Sequence, residues 1–373
     1  MAATYEIWLT DDKGVRITSI ANVKWFSATR YISNIARCTL SMPPAFDTSL
    51  LVPDRMIQFW RNPTGARGGL WQVYFIRGWR QETLGAQERI IITGVDANDI
   101  LRRRIVAAFA GSEEAGKTDY ADDMMKEVVT EAFADGVEPT PSAGTRVLAN
   151  LSVQADLSNG PTLSKSFNWG RLLLSSSGGA LADIAKASRE AGTEVFFDTV
   201  VSDVSSSSID FEFRTYTGQP GQDVSDRVVF DQRRGNLQNP FLDEDWSDEV
   251  NYVYAGGAGK GAARNVQQAY DASRYNVSQW NRCEAFADAR DQTNDNSVRE
   301  KARSLLEQGR PRRRFGGIPV DTRGTRFGID WKFGDKVKAR YKNEEFTMII
   351  RLVTISVDDR GRETISARLD WES

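Results

Sequence analysis

The chain states one short strand pattern twice, and a repeated sheet module is the strongest constraint on what it can fold into. The first copy runs from Asp54-Arg55-Met56-Ile57-Gln58-Phe59, through Trp71-Gln72-Val73-Tyr74-Phe75-Ile76-Arg77, to Gly85-Ala86-Gln87-Glu88-Arg89-Ile90-Ile91-Ile92. The second runs from Asp335-Lys336-Val337-Lys338-Ala339-Arg340, through Phe346-Thr347-Met348-Ile349-Ile350-Arg351, to Gly361-Arg362-Glu363-Thr364-Ile365-Ser366-Ala367. In each, a charged lead-in opens a strand, a short loop follows, a β-branched and aromatic strand ends in Arg, and a Gly-x-x-Glu/Thr turn starts a third strand. The first copy has the longer loop, residues 62–69, where the second has only 342–344. The match is one of residue classes rather than identities, and it predicts one β-sheet module used twice.

Composition narrows the chemistry. The chain has 373 residues, 40% of them hydrophobic and 10% aromatic, enough for substantial cores in two to three domains. Histidine is absent, which removes the commonest general base and the commonest metal ligand, and with them Ser-His-Asp, Cys-His and His-zinc sites. Cys38 and Cys283 lie far apart with no C-x-x-C spacing, and are expected to be ordinary small apolar residues. Basic and acidic residues, 48 and 51, nearly cancel to a net charge of -3, where a dedicated nucleic-acid binder carries a basic excess. The first residues show no basic segment leading into an apolar one, and no run of about 18 apolar residues occurs, so neither a signal peptide nor a membrane span is expected.

Along the chain the period of the apolar residues changes. Residues 1–105 are predicted as a first β-barrel module, with turns at Asp11-Asp12-Lys13-Gly14, Pro43-Pro44, Asn62-Pro63 and Gly85. Residues 106–217 read as an α+β insertion with helices at 120–134 and 180–191, irregular chain at 138–160, and strands at 194–200 and 209–217. Residues 218–262 supply return strands and the start of a second barrel module. A helical insertion follows at 263–312, with helices at 281–290 and 297–308; within it, 263–270 fits helix or strand. The remainder of the second module occupies 313–373.

Four stretches carry a resemblance. They are Ile92-Thr93-Gly94-Val95-Asp96 with Ile100-Leu101 and Arg104; Val228-Val229-Phe230 leading to Gly235-Asn236-Leu237; Asn251-Tyr252-Val253-Tyr254-Ala255-Gly256-Gly257; and Phe333-Gly334-Asp335-Lys336-Val337. In this order and spacing the chain resembles the tail hub proteins of long-tailed bacteriophages, also called baseplate hub or tail-associated proteins. The resemblance implies a mainly β fold with α+β insertions, in which two related β-barrel modules form the tube domains of a trimeric ring. Three chains with two modules each would present six docking surfaces to a hexameric tail tube or distal tail ring, and a threefold face to a central spike or fibre. It further implies a non-enzymatic virion protein at the tail tip, with genome DNA passing through its channel. Long C-terminal extensions carried by some relatives have no counterpart, so wall digestion is not expected.

Other motifs compete. Gly111-Ser112-Glu113-Glu114-Ala115-Gly116-Lys117-Thr118 satisfies G-x-x-x-x-G-K-[ST] and precedes a helix, so Gly111, Gly116, Lys117 and Thr118 are candidate ATP or GTP phosphate ligands. Against this, Glu113 and Glu114 place two negative charges beside the phosphates, the preceding segment is basic and helix-like rather than a buried strand, and Val195-Phe196-Phe197-Asp198 stands as a lone Walker B-like strand. The bland alternative is a loop with Thr118 capping the next helix. Gly256-Gly257-Ala258-Gly259-Lys260-Gly261 reads as a turn at a strand end, and Asp243-Glu244-Asp245 as a solvated loop, since its spacing lacks the glycine and final ligand of a calcium loop. Two basic clusters, Arg102-Arg103-Arg104 and Arg310 with Arg312-Arg313-Arg314, suit a charged surface or contact with passing DNA. A third possibility is a monomeric receptor- or carbohydrate-binding β-protein using exposed aromatics. No catalytic residue, metal ligand or cofactor is assigned.

Overall fold

Period-two alternation builds most of the structure, a computed structural model that describes residues 3–372 except 66, 86, 108–113, 136–144, 169, 176–177, 206, 291 and 369–370. Two compact units result: Met1–Pro240 with Gly317–Asp370, and Phe241–Gly316 with the last three residues. Unit 1 opens with β1 (Thr4–Thr10), β2 (Arg16–Ser19), β3 (Trp25–Tyr31), β4 (Arg37–Met42), β5 (Met56–Asn62), β6 (Gly69–Leu84) and β7 (Gln87–Val95). Phe26 and Ala28 on β3, and Cys38, Leu40 and Met42 on β4, turn inward at every second position.

The period then changes to that of a helix. After α1 (Asp99–Arg102) come β8 (Glu114–Tyr120), α2 (Ala121–Ala132), β9 (Leu151–Val153), β10 (Thr162–Asn168), α3 (Ala180–Glu190), β11 (Val195–Val204) and β12 (Ile209–Thr217). Helix α2 buries Met124, Met125, Val128 and Val129 against Leu181 and Ile184 of α3 and Phe197 and Phe213 of the β11–β12 hairpin. Asp122 and Asp123 in its first turn offset the helix dipole. They also clamp Lys126 Nζ at 3.3 and 2.9 Å and accept the amides of Leu157, Ser158 and Asn159, which ties down the following loop. Of the stretch 138–160 read as irregular, residues 138–144 lie outside the described residues and Leu151–Val153 form β9.

The rest of the chain supplies β13 (Val229–Asp231), β14 (Leu237–Asp245), β15 (Tyr252–Gly256), β16 (Val266–Tyr270), α4 (Ala272–Tyr275), β17 (Glu284–Asp288), α5 (Asp295–Gln308), β18 (Arg312–Pro319), β19 (Lys336–Tyr341), β20 (Glu344–Ile349), β21 (Leu352–Val357), β22 (Glu363–Arg368) and β23 (Trp371–Glu372). Unit 2 starts earlier than the helical insertion read at 263–312, and sheet makes up much of it. Its centre is β15, flanked by antiparallel β16 and parallel β17. Residues 281–290, expected to be helical, instead hold strand β17: Ala285 and Ala287 pack toward Val298, Ala302 and Leu306 of α5, while Glu284, Phe286 and Asp288 face away. The acidic residues Asp243 to Asp245, expected in a loop, end strand β14.

In unit 1 one nine-stranded sheet runs in the order β2-β1-β5-β6-β7-β4-β3-β21-β22. It curls on itself, as strand twist accumulated over nine strands favours. The rings of Phe26 and Phe59 lie 5.3 Å apart and those of Phe59 and Tyr74 5.5 Å apart, lining the inside. Arg61 on β5 meets Glu363 on the terminal strand β22, with Nε 2.8 Å from the carboxylate.

The echo in the sequence is an echo in hydrogen bonds. β5 pairs β6 with Met56 opposite Phe75 and Ile57 opposite Tyr74, and β19 pairs β20 with Lys336 opposite Ile349 and Val337 opposite Met348. Both ladders close alike. Asp54 N donates to Ile76 O and Ile76 N to Arg55 O (3.4 and 2.8 Å), while Gly334 N donates to Ile350 O and Ile350 N to Asp335 O (3.0 and 2.9 Å). The chain then changes partner. Past a bulge between Ile76 and Gly78, β6 pairs β7; past the break at Ile350 and Arg351, β21 pairs β22. The long β6 therefore covers the roles of both β20 and β21, and the Arg that ends each sequence copy marks the switch. Asp96 N bonds Ala36 O where β4 meets β7, and Trp371 pairs Phe315 at the corresponding point of β23 and β18. Thus β14 and β18 correspond to β3 and β4, with unit 2 in place of the short loop between them. The copies differ beside the first strand, since β1 is antiparallel to β5 whereas β13 is parallel to β19.

Candidate functional site

The candidate phosphate residues fall on a strand. Gly111 lies outside the described residues, but Gly116, Lys117 and Thr118 sit in β8, opposite Ser166, Lys165 and Ser164 of β10. A phosphate cradle needs a loop whose amides converge on the ligand at a helix start, and a strand directs its amides alternately sideways instead. Lys117 Nζ lies 2.8 Å from both Glu127 and Glu131, with its side chain 5% exposed. Thr118 Oγ1 bonds Ser164 Oγ at 2.9 Å rather than capping α2, whose Ala121 amide goes to Pro161 O. The Walker B-like Asp198 is buried among other partners.

Several residues of the remaining charged motifs are likewise held by partners within the chain. Arg102 and Arg103 both bind the fully buried Asp99, and Arg103 also reaches Asp54 at 2.8 Å. Arg104 lies over the Phe133 ring, Arg310 pairs Glu307, and Arg313 pairs Glu244. In the glycine run, Gly256 closes β15 and the Arg264 guanidinium donates to the carbonyls of Gly256 and Gly257 (3.0 and 3.2 Å). Among the described residues no group of three or more His, Cys, Asp or Glu converges as a metal site.

The stretches carrying the resemblance turn out to be backbone staples. Gly94 sits where an added Cβ would lie 2.9 Å from Cys38 Sγ and 3.1 Å from Phe75 O, so β7 can approach its neighbours only without a side chain there. Just beyond, the fully buried Asn98 donates to Asn34 O (2.8 Å) and Asp198 Oδ1 (2.9 Å) and accepts the Thr199 amide (2.8 Å). Asn236 accepts the Asp231 amide (2.7 Å) and donates to Val229 O (2.9 Å). Asn251 accepts the Cys283 amide (2.9 Å) and donates to Asn281 O (2.7 Å). Asp335 accepts the amides of Gln222 and Lys332 (2.9 and 2.8 Å). Each group satisfies backbone that no strand reaches, which is the requirement on buried peptide groups.

One carboxyl stands apart. Asp96 is 1% exposed and its Oδ1 has no hydrogen-bond partner. Burial, then the nearby Asp198 carboxylate, push its pKa well above the usual carboxylate range, and burial raises Asp198 as well, against the pull of Arg30 at 3.8 Å. A raised carboxyl pKa gives stability that is complete below the unfolded value near 4 and is lost as pH rises through the folded value. Asp96→Asn is therefore expected to gain stability relative to wild type as pH rises from 4 to 8. Urea unfolding at the two pH values checks this; a constant difference would refute it.

Unit 2 also exposes aromatic surface. On unit 2, Tyr252 stacks on Tyr270 (5.1 Å), Arg282 lies 3.9 Å over Tyr252, and Phe286 and Trp280 are exposed. Sequence reasoning missed Asn98, Arg61 and Glu363, whose partners are remote in the chain.

The family model described as "Siphovirus ReqiPepy6 Gp37-like protein" matches residues 6–369. Among solved structures, the chain is similar to the tail protein from Neisseria meningitidis MC58, with 12% identity over 98% of this chain and 96% of that one and a TM-score of 0.60. It is also similar to the 43 kDa tail protein of prophage MuSo2 from Shewanella oneidensis, with 12% identity, 97% of each chain covered and a TM-score of 0.55. A chain of the Francisella PdpA-VgrG complex shares 8% identity over 99% of this chain and 52% of that one, with a TM-score of 0.51. No curated protein matches the sequence. At these identities the structures establish a common, mostly β fold. Matched over nearly its whole length, the chain belongs to the family described as Siphovirus ReqiPepy6 Gp37-like protein.

Proposed function

We propose that three copies of this chain form the hub at the tip of the tail, joining a sixfold tube or distal tail ring above to a threefold spike or fibre below. The observation that carries this reading is the repeated ladder: β5, β6 and β7 recur as β19, β20 with β21, and β22, with the same closing bonds at Ile76 and Ile350. Two like modules per chain give six like positions in a trimer, which is what a symmetry adaptor requires. The near balance of 48 basic and 51 acidic residues suits a channel wall that genome DNA passes without adhering. No reaction is assigned to it.

Mass photometry with negative-stain class averages of the recombinant chain tests the proposal. The expected result is a particle of three chains with a central hole. A single-chain particle at all concentrations, with no ring in the averages, overturns it.

A further inference from the structure

The repeat leaves two sheet edges unmatched whose counterparts are matched to each other inside the chain. β21 has β22 on one side and β3 on the other, antiparallel from Leu352 opposite Tyr31 to Val357 opposite Phe26. Across that junction Thr29 and Thr354 hydroxyls lie 2.9 Å apart, and those of Ser27 and Ser356 3.3 Å. The part of β6 that corresponds to β21, residues 78–84, has β7 on one side; pairing with β5 ends at Phe75, and among the described residues no strand follows its other edge. Trp79 on that stretch is 43% exposed. Likewise β3 lies between β4 and β21, but its counterpart β14 stands at the end of its sheet with β18 as its neighbour.

A long free edge is a template for another strand. We infer that residues 78–84 of β6 receive β14 of a second copy of this chain, antiparallel, as β21 receives β3. A chain offering one edge of each kind associates head to tail, and such contacts close into a ring when the rotation per step divides the circle. Every chain then contributes one internal step and one step to its neighbour, so the inference rests on the trimeric reading, in which six steps complete the circle. β14 is interrupted at Asn239, whose φ is 47°, and at Pro240, which lacks an N–H. The ladder is thus carried by residues on either side of them.

The register follows from the internal junction. Val320 N donates to Asn236 O where Ser41 pairs Trp25, so Gln238 stands at the place of Ser27, and Glu82 at that of Ser356. In a Cys283→Ser background, Gln238→Cys combined with Glu82→Cys is expected to give, on mild oxidation of the full chain, disulfide-linked species that stop at three chains on a non-reducing gel. Neither single variant should pass a dimer. Mass photometry of the unoxidised double variant separates two failures. A three-chain particle that does not cross-link overturns this strand pairing and leaves the trimeric reading standing, whereas a single-chain particle at all concentrations overturns both. A ladder running past three chains overturns ring closure.

Discussion

Asn98→Ala is expected to lower the unfolding free energy of unit 1 by about 3 kcal/mol, more than its side-chain volume accounts for. Its amide joins three groups from two places: the Asn34 carbonyl after β3, and the Asp198 carboxylate and Thr199 amide on β11. Asn98 is fully buried and Asp198 and Thr199 are each 3% exposed, while Asn34 is half-buried. Truncation leaves a donor and two acceptors without partners, and each unsatisfied buried group costs about 1–3 kcal/mol before any relaxation. Asn98→Asp keeps the acceptor for Thr199 but places a second carboxylate against Asp198, so it should be at least as damaging at pH 7 and recover as pH falls. Urea denaturation followed by fluorescence checks both. A loss below about 1 kcal/mol for Asn98→Ala would show that the staple is not what holds the first sheet to the β11–β12 hairpin.

This residue shows where sequence reasoning stops. α1 begins at Asp99, but Asn98 makes no capping bond, because its side chain is drawn to a strand about a hundred residues on. Local rules locate the turn and leave the partner open. Patterns that depend on neighbours in sequence were legible: the two copies of the ladder, α2, α3 and α5, and the β11–β12 hairpin all stand where periodicity puts them. Segment 281–290 failed because alternating alanines fit either period, and only pairing with β15 makes it a strand. Gly116, Lys117 and Thr118 of the phosphate-loop pattern fall on a strand for a related reason. A motif specifies residue types, whereas the pairing of β8 with β10, which directs the amides of Gly116 and Lys117, is set by a segment more than forty residues away.

Removing Arg61 or Glu363 singly should be among the most damaging substitutions in the chain, at about 3–5 kcal/mol each. They link β5 to β22 across the curled sheet, bringing together residues 302 apart in sequence. Arg61 donates from Nε and Nη2 to the two carboxylate oxygens at 2.8 and 3.1 Å, reaches Phe327 O at 3.4 Å, and lies 5.0 Å from the Phe327 ring centre. Tyr5 donates its phenol to Glu363, and burial followed by that carboxylate pushes the phenol pKa up, so it stays a donor through neutral pH. With both side chains under 10% exposed, one charge left alone has no solvent to replace its partner. Replacing both charges is a different matter, because apolar groups of similar volume avoid the desolvation cost that the ion pair itself carries. Arg61→Met with Glu363→Leu is accordingly expected to recover about 2 kcal/mol or more relative to the sum of the single variants in a double-mutant cycle. Additive losses would mean that the two residues stabilise the sheet separately, through Phe327 and Tyr5. A large coupling would place the join between the N-terminal module and the terminal strand of its repeat at this pair, which makes it a point where loosening the chain should also loosen any ring built from it.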